Sequence, residues 1–169
     1  MAVLVPDHLF DQAGQLASAP SGGGVRRQAD LRRAISSAYY GVFHAILTEA
    51  ADVFVGKTLR HTPRYALLYR SIDHRSLRGV CEQVVKQSLS AKYLPYEPRG
   101  GFGSDLRSLA TAVIDLHEKR LSADYDPRFR ATRSDALLAV ARGRAALDRF
   151  KSARATQRKT FLALVFPPR

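Results

Sequence analysis

Residues 31–46 read LRRAISSAYYGVFHAI, and their spacing decides the fold class. Leu31, Ile35, Ala38, Val42 and Ala45 recur at steps of three and four, the period of one face of an α-helix. No proline interrupts the stretch from Val25 to about Val55, so it reads as one long helix closed by Gly56. At about 100° per residue, Arg33, Ser37, Tyr40 and His44 share one polar stripe of it. Tyr39 and Phe43 form a neighbouring aromatic pair at i, i+4. Arg33 and His44 are also about 16 Å apart along the axis, too far to reach one phosphate together.

Working outward, Asp7 is placed to cap a first helix running to about Ala17, which ends in SAPSGGG (18–24). Pro63 suits the first turn of a helix running to Ile72, and another is expected over Ser76–Ser88. KYLPYEPRGGFGS (92–104) carries two prolines and several glycines and reads as a loop. Ser104 is expected to cap a helix through Leu121, with Asp105 in the first turn where the helix dipole favours it. TRSD (132–135) has capping-box spacing and opens a helix that carries Leu137, Leu138, Val140, Leu147 and Phe150 and runs on toward RATQRK. No alternating apolar pattern of useful length occurs. The chain is expected to be all-α, a bundle of five or six main helices.

The charge balance is uneven. The chain carries 27 Lys and Arg against 15 Asp and Glu, a formal charge of +12. Arg128–Arg169 holds 11 basic residues and two acids, Asp135 and Asp148. Such a cluster suits a polyanion such as RNA, and equally suits a solvated helix face. Arg142, Arg149, Lys151 and Arg154 are its candidate nucleic-acid contacts. Cys81 is the only cysteine, which excludes an internal disulfide and a cysteine-based zinc cluster and fits a reducing compartment. The first residues, MAVLVPDHLF, lack the basic region of a secretory signal, and no apolar run is long enough to span a membrane, so a cytoplasmic location is expected. The five histidines show no metal-ligand spacing, and neither a metal nor another cofactor is expected.

Two further constellations could carry chemistry. In HEKRLSADYDP (117–127), His117, Arg120 and Asp124 fall on one helical face if the helix persists, beside Tyr125. This reads either as a ligand site or as a structural network in which an Arg–Asp pair is completed by tyrosine hydroxyls. In YRSIDHR (69–75), Arg70 and His74 lie one turn apart. Arginine can stabilise a developing phosphorane and histidine can move a proton, the requirements of metal-independent RNA cleavage. The alternative is a helix end whose cations offset the dipole.

LRRAISSAYYGVFHAI resembles the long signature helix of HEPN-domain proteins, close to R-x-A-[IV]-S-x-A-Y-Y-x-x-F-H. EKRLSADYDP is similar to that family's second signature, an Arg followed by A-D-Y, and the helix ending LDRF resembles its last bundle helix. The resemblance covers about residues 7–152, giving a bundle over 1–152 and a basic tail or terminal helix over 153–169. It implies an up-and-down bundle, often a homodimer, among whose members are RNase toxins, partners of nucleotidyltransferase antitoxins, and non-catalytic RNA- or nucleotide-binding versions. Catalytic members carry R-x(4–6)-H. Here Arg70 to His74 is R-x3-H, one residue short. RNA or nucleotide binding is therefore the leading expectation. Cleavage by Arg70 and His74, or a purely structural interaction module, is the alternative.

Overall fold

The computed structural model describes residues 4–18 and 27–166. It holds seven α-helices among these residues: α1 (Pro6–Ala17), α2 (Gln28–Phe54), α3 (Pro63–Ser71), α4 (His74–Val84), α5 (Gly103–Tyr125), α6 (Arg133–Ser152) and α7 (Ala155–Leu164). No strand occurs among the described residues. Most of the glycine-rich segment read over 18–24, and the expected start of the long helix at Val25, lie outside them.

Four helices form an up-and-down bundle. Arg32 and Ser36 of α2 meet the last turn of α5, while Tyr40 meets Arg120 one turn earlier, so the two run in opposite directions. Arg142–Asp115 and Arg149–Asp105 contacts set α6 antiparallel to α5. Phe10 of α1 closes the bundle against Gly41 and Gly143. A Cβ at either glycine would lie 2.7 Å and 2.5 Å from the Phe10 ring, so the absence of a side chain is what lets α1 sit this close to α2 and α6. α2 occupies the centre, and Ala34, Ile35, Ala38, Tyr39, Val42, Ile46 and Ala50 are buried along it. That burial on several sides explains why its apolar residues exceed a single stripe.

Side-chain caps set the starts of α3, α4 and α6, whereas α1 starts at Pro6 after Val5 and is not capped by Asp7. Thr62 accepts from the Tyr65 amide and Pro63 follows at the first position of α3. The capping box at Thr132 and Asp135 is present, with reciprocal contacts of 3.1 and 2.9 Å. α4 begins at His74, two residues before the expected Ser76, because Asp73 forms its own capping box with Ser76. α5 is not capped by Ser104, since it starts at Gly103 after Phe102. It also runs past Leu121 to Tyr125, and stops where Asp126, preceding Pro127, is forced out of the helical region. The path from α6 into RATQRK is broken at Ala153, whose ψ of 148° is extended. Arg158 donates to the carbonyls of Lys151 and Ala153 and thereby ends α6. α7 folds back, burying Phe161, Leu162 and Val165 in the common core.

At one end of the bundle the start of α2, the end of α5 and the start of α6 are tied together. Arg32 donates to the carbonyls of Ala123 at 2.6 Å and Asp126 at 2.8 Å. The Gln28 amide exchanges two hydrogen bonds with the backbone of Ala131.

Candidate functional site

The polar side of α2 faces α3, α4 and α5, and of the residues read from the sequence Tyr40, His44, His74, His117, Arg120, Asp124 and Tyr125 converge there. Arg120 is its centre. Although a cation, it is 8% exposed. It donates to the Tyr40 hydroxyl at 2.5 Å and pairs with Asp124 at 3.0 Å. Its guanidinium lies over the Tyr40 ring at 5.2 Å and the Tyr125 ring at 5.5 Å. The other carboxylate oxygen of Asp124 accepts from the Ser36 hydroxyl. Burying this charge is tolerable because the Asp124 charge and the Tyr40 hydrogen bond come with it.

Beside it lies a box of rings containing three histidines. His74, at the first position of α4, is tilted against Phe43 with centroids 4.1 Å apart, and its Nδ1 is hydrogen-bonded to the Tyr39 hydroxyl at 2.9 Å. His117 sits 6.3 Å from His74, ring centre to ring centre, and its Nδ1 accepts from Arg78 at 3.3 Å. Arg78 is itself held by Glu82 and Glu118. His44 is hydrogen-bonded through Nδ1 to the Tyr69 hydroxyl at 2.7 Å and stacks on that ring.

The electrostatics keep these imidazoles neutral. Burial, together with the charge of Arg120 and the neighbouring His117 and His44, lowers the His74 pKa to about 4. Burial and then Arg78 and Arg120 hold His117 below the ordinary histidine value, and burial alone lowers His44. Burial pushes the Tyr39 phenol well above its usual value. An imidazole that titrates near 4 is a poor match for proton transfer at neutral pH. Cys81 is fully buried and its thiol is pushed up by that burial, so it is no nucleophile.

Arg70 does not join this cluster. Its side chain is exposed and donates at 3.2 Å to the Ala66 carbonyl of its own helix, and no hydrogen bond or ion pair connects it to His74. Arg33 is likewise exposed, and Ser37 is buried without contact to Asp124. Their neighbours Arg32 and Ser36 make the links to α5 instead. Tyr39, Tyr69 and Arg78 complete the cluster; the Y-Y doublet and the i, i+4 spacing of Tyr39 and Phe43 were the sequence signals that pointed to Tyr39. The four cations singled out on the last helices are all exposed. Arg142 and Arg149 share their charge with Asp115 and Asp105 at 3.3 Å, whereas Lys151 and Arg154 have no ion pair among the described residues.

A second polar locus lies at the other end of α2. Pro6, Asp7, Thr48, Glu49, Lys57 and Lys151 line part of a cleft of about 450 Å³ there. Its best-fixed carboxylate, Asp52, accepts from Arg60 at 2.8 Å and from Tyr65 at 3.0 Å. Burial opposes ionisation of Asp52, but these bonds and the Arg60 charge outweigh it and hold the carboxyl below its ordinary value. The trio is satisfied within itself.

Comparison with protein-family models, curated proteins and solved structures finds no match for the chain. The site must therefore be judged on its own geometry. No group of three His, Cys, Asp or Glu side chains able to hold a metal ion is present among the described residues. Nor is any helix among them long and apolar enough to cross a membrane.

Proposed function

We propose that the protein is a HEPN-like helical module that binds RNA or a nucleotide, and that it works as a homodimer within a toxin–antitoxin or defence system beside an antitoxin or nucleotidyltransferase partner. The supporting observation is the set of exposed cations left over after internal pairing. Arg33, Arg64, Arg75, Arg107, Arg130, Arg133, Lys151 and Arg154 are all exposed and form no ion pair among the described residues. A surface of this kind attracts phosphates and makes affinity depend on salt. The dimer and the partner rest on the resemblance of the two signature stretches to that family.

The nuclease alternative is weaker. Arg70 is bonded to the Ala66 carbonyl of its own helix and not to His74, His74 is engaged by Tyr39, and its pKa of about 4 leaves it deprotonated and weakly basic at neutral pH. A structural module whose basic surface docks on an acidic protein is the remaining alternative.

Fluorescence anisotropy with a labelled single-stranded RNA across a salt series tests the proposal. Binding at low salt should weaken steeply as salt rises, and Arg130→Ala with Arg133→Ala should make the log–log slope shallower by about one to two. Failure to bind at low salt, or binding indifferent to salt, would contradict it.

A further inference from the structure

We infer that the end of the bundle where α2 starts, α5 stops and α6 starts docks single-stranded RNA, with Tyr125 as the platform on which one base stacks. The inference rests on the RNA-binding proposal above and locates its interface. It moves that interface away from Lys151 and Arg154, which lie about 30 Å off, at the far end of the α5–α6 pair.

Tyr125 is the last residue of α5, and it is 69% exposed. It is nonetheless not a loose surface side chain. One face of its ring lies on the Arg120 guanidinium at 5.5 Å, and that guanidinium is fixed from behind by Tyr40 and Asp124. The ring is thus held in place on one side and open to solvent on the other. A planar group arriving on the open face meets a surface whose orientation is already paid for. The cation behind the ring also draws electron density from it, which suits stacking by an electron-rich purine.

The surroundings supply the phosphate contacts. Arg32 and Gln28 clamp the three helix termini together, so the exposed Arg33, Arg130 and Arg133 belong to one end of the molecule. The Arg128 side chain is 93% exposed, and its guanidinium lies 3.9 Å from Asp126. Arg27, equally open, lies 3.7 Å from Asp30. Four acids share this end. Asp124 is engaged by Arg120 and Ser36, Asp135 by the α6 cap, Asp30 by Arg27 and Asp126 by the Arg128 amide, and none of them pairs with Arg33, Arg130 or Arg133 among the described residues. Interleaved cations and an open aromatic ring are what a flexible single strand requires, since its phosphates follow the charges while an unstacked base covers the ring. A duplex has its bases already stacked. A mononucleotide would gain no enclosure from a ring standing in solvent.

The test compares a short fluorescein-labelled oligoadenylate with its abasic counterpart, using the intact chain at low salt. The wild type should bind the adenylate about ten-fold more tightly than the abasic strand, within the range that base–aromatic stacking supplies. Tyr125→Ala should lose that advantage and leave abasic binding and the salt slope unchanged, while Tyr125→Phe should stay within about two-fold of wild type. Unaltered thermal unfolding of Tyr125→Ala, expected for so exposed a side chain, ties the loss to binding. If the wild type binds both strands equally, or Tyr125→Ala binds the adenylate like wild type, the stacking site is refuted while RNA binding stands. If the wild type binds neither strand, both proposals fall together. Displacement of the adenylate by micromolar AMP would overturn the assignment to a strand.

Discussion

The two sides of α2 are built on different principles. Toward α1 and α6 the contact is a matter of volume, with the Phe10 ring lying in the gap left by Gly41 and Gly143. Toward α4 and α5 it is a matter of partners: Tyr40, Ser36 and Asp124 each answer to Arg120 or to one another, and three histidines share a box of rings. A volume contact tolerates any side chain of the right shape. A buried polar contact tolerates almost none, because a lost partner leaves a desolvated group behind. Tyr40, His117, Arg120 and Asp124, which the helical spacing singles out, all sit on the polar side.

The largest effect should come from the apolar side. Phe10→Ala removes a ring that is 1% exposed and should cost about 3–5 kcal/mol, measured by urea unfolding. Arg120→Ala comes next, at about 2–3 kcal/mol, below the full cost of breaking a buried pair because the Asp124 carboxylate keeps Ser36 and is 22% exposed. If Arg120→Ala leaves stability unchanged, the polar side is not structural and the contrast between the two faces collapses.

A smaller effect separates the sides by pH. The folded-state pKa of His74 lies below its unfolded value, and those of His117 and His44 are shifted the same way. Between about pH 6.5 and pH 4 the unfolded chain binds protons that the native ring box refuses, so this contribution is complete above about 6.5 and declines as pH falls toward 4. The melting temperature should fall over that window, and His74→Phe should make the decline shallower. A melting temperature flat from pH 7 to pH 4.5 would show that the imidazoles charge without cost.

How much of this was legible follows from the doublets in the signature stretch. The helical period places Tyr40, which meets Arg120, one turn from the serine that meets Asp124, and the spacing of 117, 120 and 124 puts those three on one face. Yet R-R and S-S each offer two candidates about 100° apart, and periodicity alone does not say which faces α5. Arg33 and Ser37 fit the stripe through His44, whereas Arg32 and Ser36 make the contacts. The Tyr39–His74 bond was not legible, because it depends on how the turn after α3 brings the first residue of α4 onto α2. The break at Ala153 was equally hidden: no glycine or proline marks it, and it arises from a side chain five residues further on.

The central claim is that the polar side of α2 is a packed network supporting a binding surface and not a reaction centre. Incubating the protein in EDTA with a labelled single-stranded RNA at low salt, and following both the bound fraction and strand length, tests it most directly. The expected result is a strand that is bound, released by salt and recovered at full length. Cleavage that disappears in His74→Ala would contradict the claim and make the ring box an active site.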